Sequence, residues 1–213
     1  MFVSTFTYVF RGRKIALMSV DGKSSITLMK TLQTSTEVYS ICPYDVNIFI
    51  VGTVGDRRHA RMIGLNGQES DIPSLTFPDK TYDSEHCHCS YLPSDGVLAV
   101  TYRDEHTVQL YQVGPGTSRT VKDDRIQRPA GICGAQGRVF VASINTRTVV
   151  EMTVQGEIVQ CHEVGMRWPR TISVSQDRGH MVVANWVAGK DTIIKLFKMD
   201  YAWITNNSYL MIC

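Results

Sequence analysis

The chain has no long apolar run. Nothing in its 213 residues approaches the roughly 18 consecutive apolar positions of a membrane-spanning helix, so no membrane partner is expected. There is also little excess of either charge. Lys and Arg number 22 against 20 Asp and Glu, and the total charge therefore selects no partner. Heptads, low-complexity tracts and Pro-, Gly- or Ser-rich linkers are all missing, which argues against a coiled coil and against a division into linked domains. Residues Met1 to Phe10 are mildly apolar, but no basic region precedes them as a signal peptide requires. The six cysteines are scattered through apolar segments, where a reduced thiol packs as a small hydrophobe. The expectation is a soluble, cytoplasmic protein.

What the chain does contain is a repeated strand pattern. From Arg128, it runs through Pro129, Gly131, Ile132 and Cys133, a turn at Gln136 and Gly137, and the apolar run Val139 to Ala142. A second turn, Asn145 to Arg147, leads to the alternating segment Val149 to Val154, and another at Gln155 and Gly156 leads to Glu157 to Val164. These are four short segments of high β propensity separated by turns, as in one blade of a β-propeller.

The pattern can be laid along the whole chain. The second strand of each unit starts at Ile48, Val97, Val139 and Met181, which are 49, 42 and 42 residues apart. The third strand and its turn recur as Ala16 to Gly22, Met62 to Gly67, Val108 to Gly114, Val150 to Gly156 and Ile193 to Asp200. The reading is an all-β, incomplete β-propeller of about five blades, each of four antiparallel strands. Its units fall at about 1–35, 36–84, 85–127, 128–167 and 168–200. The tail 201–213 is either the outer strand of the fifth unit or an unrelated ending. An open arc leaves its end blades uncovered, so the chain either closes as a strained five-bladed ring or needs another chain over its open edges.

The run Pro129, Gly131, Ile132, Gly137, Val139 to Ala142, Asn145, Arg147, Val150 and Gly156 resembles an NHL repeat. That resemblance implies a six-bladed propeller like the carboxy-terminal domain of tripartite-motif proteins. It further implies a substrate-recruiting module of a ubiquitin ligase, with the zinc-binding RING and B-box outside this chain. Where the family often carries Asp after the second strand, this chain has Thr101, Ser143 and Asn185.

Candidate chemistry is sparse. His86, Cys87, His88 and Cys89 form one metal-like cluster, but on a strand the His pair faces one way and the Cys pair the other. Zinc sites want three or four ligands, so no metal or other cofactor is expected. Positions nearest the axis hold Ser40, His88, Gly131 and Ser173, without the carboxylates of a metal-dependent lactonase, which is the enzyme alternative.

Charge distribution is more informative. In an antiparallel blade, the loop between strands two and three emerges on the same face as the link into the next blade. Loops assigned in this way gather sixteen basic against ten acidic side chains on one face. The candidate binding residues are Arg57, Arg58, Arg61, Tyr102, Arg103, Arg128, Arg147, Arg167, Trp168 and Arg170. Tyr82 and Trp186 are further aromatics on that face. Arg beside Tyr or Trp is the composition of binding hot spots. The expected function is a non-catalytic platform for a protein partner, with single-stranded RNA as the alternative and no small-molecule substrate.

Overall fold

The computed structural model describes residues 4–10, 12–20, 25–80, 86–175, 178–185 and 192–199. Every regular element among them is a strand, and no helix is long and apolar enough to cross a membrane. The first sheet contains six strands in sequence order: β1 (Ser4–Phe10), β2 (Gly12–Val20), β3 (Ile26–Pro43), β4 (Ile48–Val54), β5 (Ala60–Gly64) and β6 (Glu69–Ser70). The second contains β7 (Cys89–Leu92), β8 (Val97–Tyr102), β9 (Thr107–Gln112) and β10 (Thr117–Lys122). The third contains β11 (Pro129–Ala135), β12 (Arg138–Ser143), β13 (Thr148–Thr153) and β14 (Ile158–Glu163). The fourth has three described strands, β15 (Pro169–Val174), β16 (His180–Asn185) and β17 (Ile194–Lys198). All pairs are antiparallel, in a propeller arrangement.

Period-two alternation explains how the sheets stack. On β8, Val97 and Ala99 enter the apolar layer shared with Ile132, Val139 and Val141 of the third sheet. Leu98, Val100 and Tyr102 enter the layer shared with Ile50, Ala60 and Met62 of the first. On β12, Phe140 turns the other way, toward Ile172, Met181 and Val183 of the fourth. A strand buried on both faces reads as a near-continuous apolar run, and this is why the second strands stood out in the sequence. The fourth sheet has its inner face covered, whereas Val182, Ile194 and Leu196 on its other face are 36–40% exposed.

The count of five units, in a six-bladed type, is corrected to four sheets among the described residues. The first two units share β3, which runs unbroken across the 35/36 boundary. Its first half pairs with β2 (Ile15 opposite Leu32) and its second with β4 (Ile41 opposite Val51). The physical reason is a lack of breakers. From Ile26 to Cys42 there is no Gly or Pro, and Thr31, Thr34, Thr36 and Val38 all favour extended backbone. The links into the other sheets carry Pro78, Pro129, and Gly165 with Pro169. The first sheet coils so that Ile15, Leu17 and Leu32 pack with Val51 and Ile63 in their own layer. The tail 201–213 lies outside the described residues.

Inner strands approach closely around the axis. A Cβ on Gly131 of β11 would lie 2.5 Å from the Arg170 carbonyl oxygen and 3.0 Å from the Ile172 nitrogen of β15. Only a residue without a side chain lets these two backbones pass so near each other.

Candidate recognition face and its axial cluster

The loops after each second strand and the links into each next sheet are stitched together by one polar position. The side chain following the apolar core of the second strand is buried and hydrogen-bonds both ways. The Gln127 N–H donates to Ser143 Oγ (2.8 Å), and that hydroxyl donates to the Gln127 carbonyl (3.2 Å). Thr101 Oγ1 accepts from the His88 N–H (3.2 Å) and donates to the Ala130 carbonyl (3.0 Å). Asn185 Nδ2 donates to the Arg167 carbonyl (3.2 Å), and its Oδ1 accepts from the Ile193 N–H (2.8 Å). Buried polar atoms must be paired, so these three residues fix where the face loops sit.

The backbone of the face repeats as well. His106 (φ 59°) and Arg147 (φ 61°) occupy the same place at the end of two successive loops. Arg128 (φ 53°) and Trp168 (φ 56°) stand just before the prolines that open β11 and β15. Left-handed conformations are uncommon for such residues, and each costs on the order of 1 kcal/mol that surrounding contacts must offset. One such contact is the Arg128 N–H donating to His106 Nδ1 at 3.0 Å.

The candidate residues occupy different environments on this face. Arg57, Arg147, Arg167 and Trp168 are exposed, Trp168 to 49%. Arg147 and Arg167 line a side cleft of about 450 Å³ together with Thr146, Glu163, Gly165 and Met166. Arg58 is tied to Asp56 and Asp71 by ion pairs of 2.8 Å each. Arg61 is 9% exposed and bound to Glu69 and Ser35. Tyr102 is 2% exposed, with its hydroxyl 2.5 Å from that of Tyr111. Arg58 and Arg61 thus brace the first sheet, and Tyr102 is a core residue. Tyr82 and Trp186 lie outside the described residues.

Arg103 and Arg170 converge with Tyr39, His86 and His88, none of them among the candidate binding residues. The Tyr39 ring of β3 stacks on His86 (centroids 4.4 Å apart, planes 6° apart) and meets His88 edge-on at 4.7 Å. Arg103 Nη1 lies 3.2 Å from His86 Nδ1. Arg170 places its guanidinium carbon 5.5 Å from the Tyr39 ring centroid and donates from Nη2 to the Tyr39 hydroxyl. All five side chains are half-buried, so the cluster reaches solvent. Burial, then the neighbouring His86 and Arg103, pushes the His88 pKa down to about 3, and that ring is neutral at pH 7.

The His86 to Cys89 segment alternates as a strand should. Cys87 and Cys89 are buried, while His86 and His88 are half-buried and pack against Tyr39. Among the described residues, no three His, Cys, Asp or Glu side chains gather as metal ligands. On the opposite face, a cleft of about 380 Å³ lies between loops bearing Tyr44, Val46, Tyr91 and Pro93.

No protein-family model matches this chain, and no curated protein matches it by sequence. Its fold is similar to that of solved structures. One is a functionally unknown protein from Desulfotomaculum acetoxidans DSM 771, with a TM-score of 0.62 and 12% identity over 97% of this chain and 64% of that one. A second comes from a nidogen/laminin complex, with a TM-score of 0.67 and 11% identity over 85% of this chain and 70% of that one. A third is streptogramin B lyase, with a TM-score of 0.55 and 16% identity over 94% of this chain and 70% of that one. At such identities the likeness concerns the propeller fold alone. This chain spans 64% of the length of the first of these proteins.

Proposed function

We propose that this chain is a non-catalytic binding platform whose loop face recognises an acidic segment of a protein partner. A propeller fold suits a binding or scaffold role, because it brings loops from distant parts of the chain onto one surface. The observation that carries the reading is that Arg128, Arg147, Arg167 and Trp168 stand on the stitched loops and links and Arg57 on the loop between β4 and β5, with Arg103 and Arg170 in the cluster around Tyr39. Protein is favoured over RNA because Asp56, Asp104 and Asp123 share those loops and pair with Arg58, Arg103 and Arg125. A phosphate backbone carries a charge at every nucleotide and would meet each of them, whereas the carboxylates of a protein segment are interleaved with neutral residues that can lie over the acids.

The resemblance to NHL repeats extends the proposal to recruitment of substrates for a ubiquitin ligase whose catalytic segments would lie outside this chain. A cytoplasmic location is part of the same proposal. It is supported by five free thiols among the described residues, of which Cys42 and Cys89 have sulfurs 3.8 Å apart.

The test is binding of a fluorescein-labelled hexaglutamate peptide, compared with labelled oligouridylate, from about 50 to 200 mM salt. The Arg57→Glu, Arg128→Glu, Arg147→Glu, Arg167→Glu quadruple variant spares the bracing residues Arg58 and Arg61. It should weaken peptide binding at least tenfold without lowering the melting temperature. Peptide binding that survives this change removes the face. Oligouridylate binding that falls steeply with salt and outcompetes the peptide replaces the protein reading with RNA.

A further inference from the structure

We infer that the axial cluster is a carboxylate-binding site, in which one Glu or Asp side chain of an acidic peptide seats against Arg103 and Arg170 beside Tyr39. The inference rests on the loop-face reading above and deepens it, by naming the point where a partner's charge is received.

Two guanidiniums and two imidazoles meet around a single phenol ring, and their arrangement is specific. Because an Arg can only donate, the 3.2 Å contact makes His86 Nδ1 an acceptor and leaves the proton of a neutral ring on Nε2. Arg103 Nε is enclosed without a hydrogen-bond partner, and the Asp104 carboxylate stands 3.6 Å away, beyond hydrogen-bond reach. Asp104 thus offsets part of the charge of Arg103 without taking a hydrogen bond from its fork. Burial first, then His86 and Arg103, lower the His88 pKa, so the positive local field here is that of the two guanidiniums. An incoming anion would relieve that field, and a planar carboxylate matches the fork of a guanidinium.

The aromatic geometry argues against a nucleobase. One face of Tyr39 is covered by His86, its edge region meets His88, and Arg170 lies 5.5 Å from its centroid. Stacking of bases needs an open ring face, whereas this ring serves to hold Arg170 in place. The ring is reached from three sheets. Tyr39 comes from β3, the His pair from the segment leading into β7, and Arg170 from β15. A cluster assembled in this way exists only in the folded arc.

The experiment follows the His86 and His88 imidazole signals by NMR in the full chain, with ¹³C- and ¹⁵N-labelled histidine, during titration with hexaglutamate. The expected result is a saturable shift of both signals, and an affinity that falls at least tenfold in Arg103→Gln and in Arg170→Gln. Arg103→Lys, which keeps charge without the fork, should recover part of the loss. Arg119→Gln on the outer strand β10 should bind within threefold of the parent. Melting curves of each variant separate loss of the site from loss of the fold. If hexaglutamate binds undiminished to the Arg103 and Arg170 variants but not to the loop-face charge reversal, this inference fails and the face reading stands. If the parent chain does not bind hexaglutamate at all, both fail. Equal histidine shifts from inorganic phosphate, or stronger ones from oligouridylate, overturn the carboxylate assignment in favour of phosphate.

Discussion

Arg170 and Tyr39 meet across 131 residues of chain, the guanidinium carbon 5.5 Å from the ring centroid and Nη2 bonded to the hydroxyl. One comes from the inner strand of the fourth sheet and the other from the inner strand of the first. The contact is therefore a direct reporter of the arc's curvature. A double-mutant cycle with Arg170→Ala and Tyr39→Phe, read by urea unfolding, should give a coupling of about 0.5–2 kcal/mol. Additive effects would mean that the two ends do not meet in solution.

Gly131 reports the neighbouring approach. Its Cα faces the Arg170 carbonyl and the Ile172 nitrogen so closely that an added methyl must push β11 and β15 apart. Gly131→Ala should destabilise the chain by about 1–3 kcal/mol, measured by thermal melting, as overpacking does elsewhere. An unchanged melting temperature would show that these strands are further apart.

Glu151 is a buried carboxylate held by one imidazole and two guanidiniums, with His162 Nε2 and Arg178 Nη2 at 3.0 Å and Arg138 Nε at 3.6 Å. The His162 hydrogen bond, then Arg178 and Arg138, hold its pKa below the ordinary 4.5. A carboxylate depressed on folding contributes stability that is complete above the unfolded value and is lost as pH falls through the folded one. Stability should therefore decline below about pH 4.5, and Glu151→Gln should flatten that decline. At pH 7 the same substitution should cost about 1–3 kcal/mol, because the buried imidazole and two half-buried guanidiniums lose their acceptor.

His59 gives the second pH dependence. It is fully buried, 4.2 Å from Tyr102 and stacked on Phe77 at 5.8 Å. Burial, then the nearby Lys80, lowers its pKa from 6.5 to about 3. Folding therefore favours the neutral ring, so the contribution is complete above pH 6.5 and is lost on acidification toward pH 3. The slope is at most about 1.4 kcal/mol per pH unit. His88, lowered from 6.5 to about 3 as well, adds a similar slope, so His59→Phe should remove about half of the slope that the two rings give between pH 6.5 and 4.5 in urea titrations at successive pH values.

Much of the fold was legible because the blades bury both faces of their second strands, which writes runs such as Val97 to Val100 and Val139 to Ala142 into the sequence. The number of sheets was not. Repeated strands mark five units, and only the missing Gly or Pro between Ile26 and Cys42 signals that two of them share β3. The burial of Tyr102 could have been read from its parity, since it shares the side of β8 that carries Leu98 and Val100. Pairing of Arg58 and Arg61 with Asp56, Glu69 and Asp71 depends on loop geometry that spacing does not reveal. His88 was placed near the axis, but its meeting with Tyr39, His86, Arg103 and Arg170 follows from the angle between sheets. No local pattern encodes that angle.

The central claim is that distant inner strands bring their side chains together at one axis, and proton NMR of chain labelled selectively at Tyr, His and Arg tests it most directly. The account predicts nuclear Overhauser contacts from the Tyr39 ring to His86, to His88 and to the Arg170 side chain. Contacts between His86 and its own strand neighbours, with none to Tyr39, would contradict it.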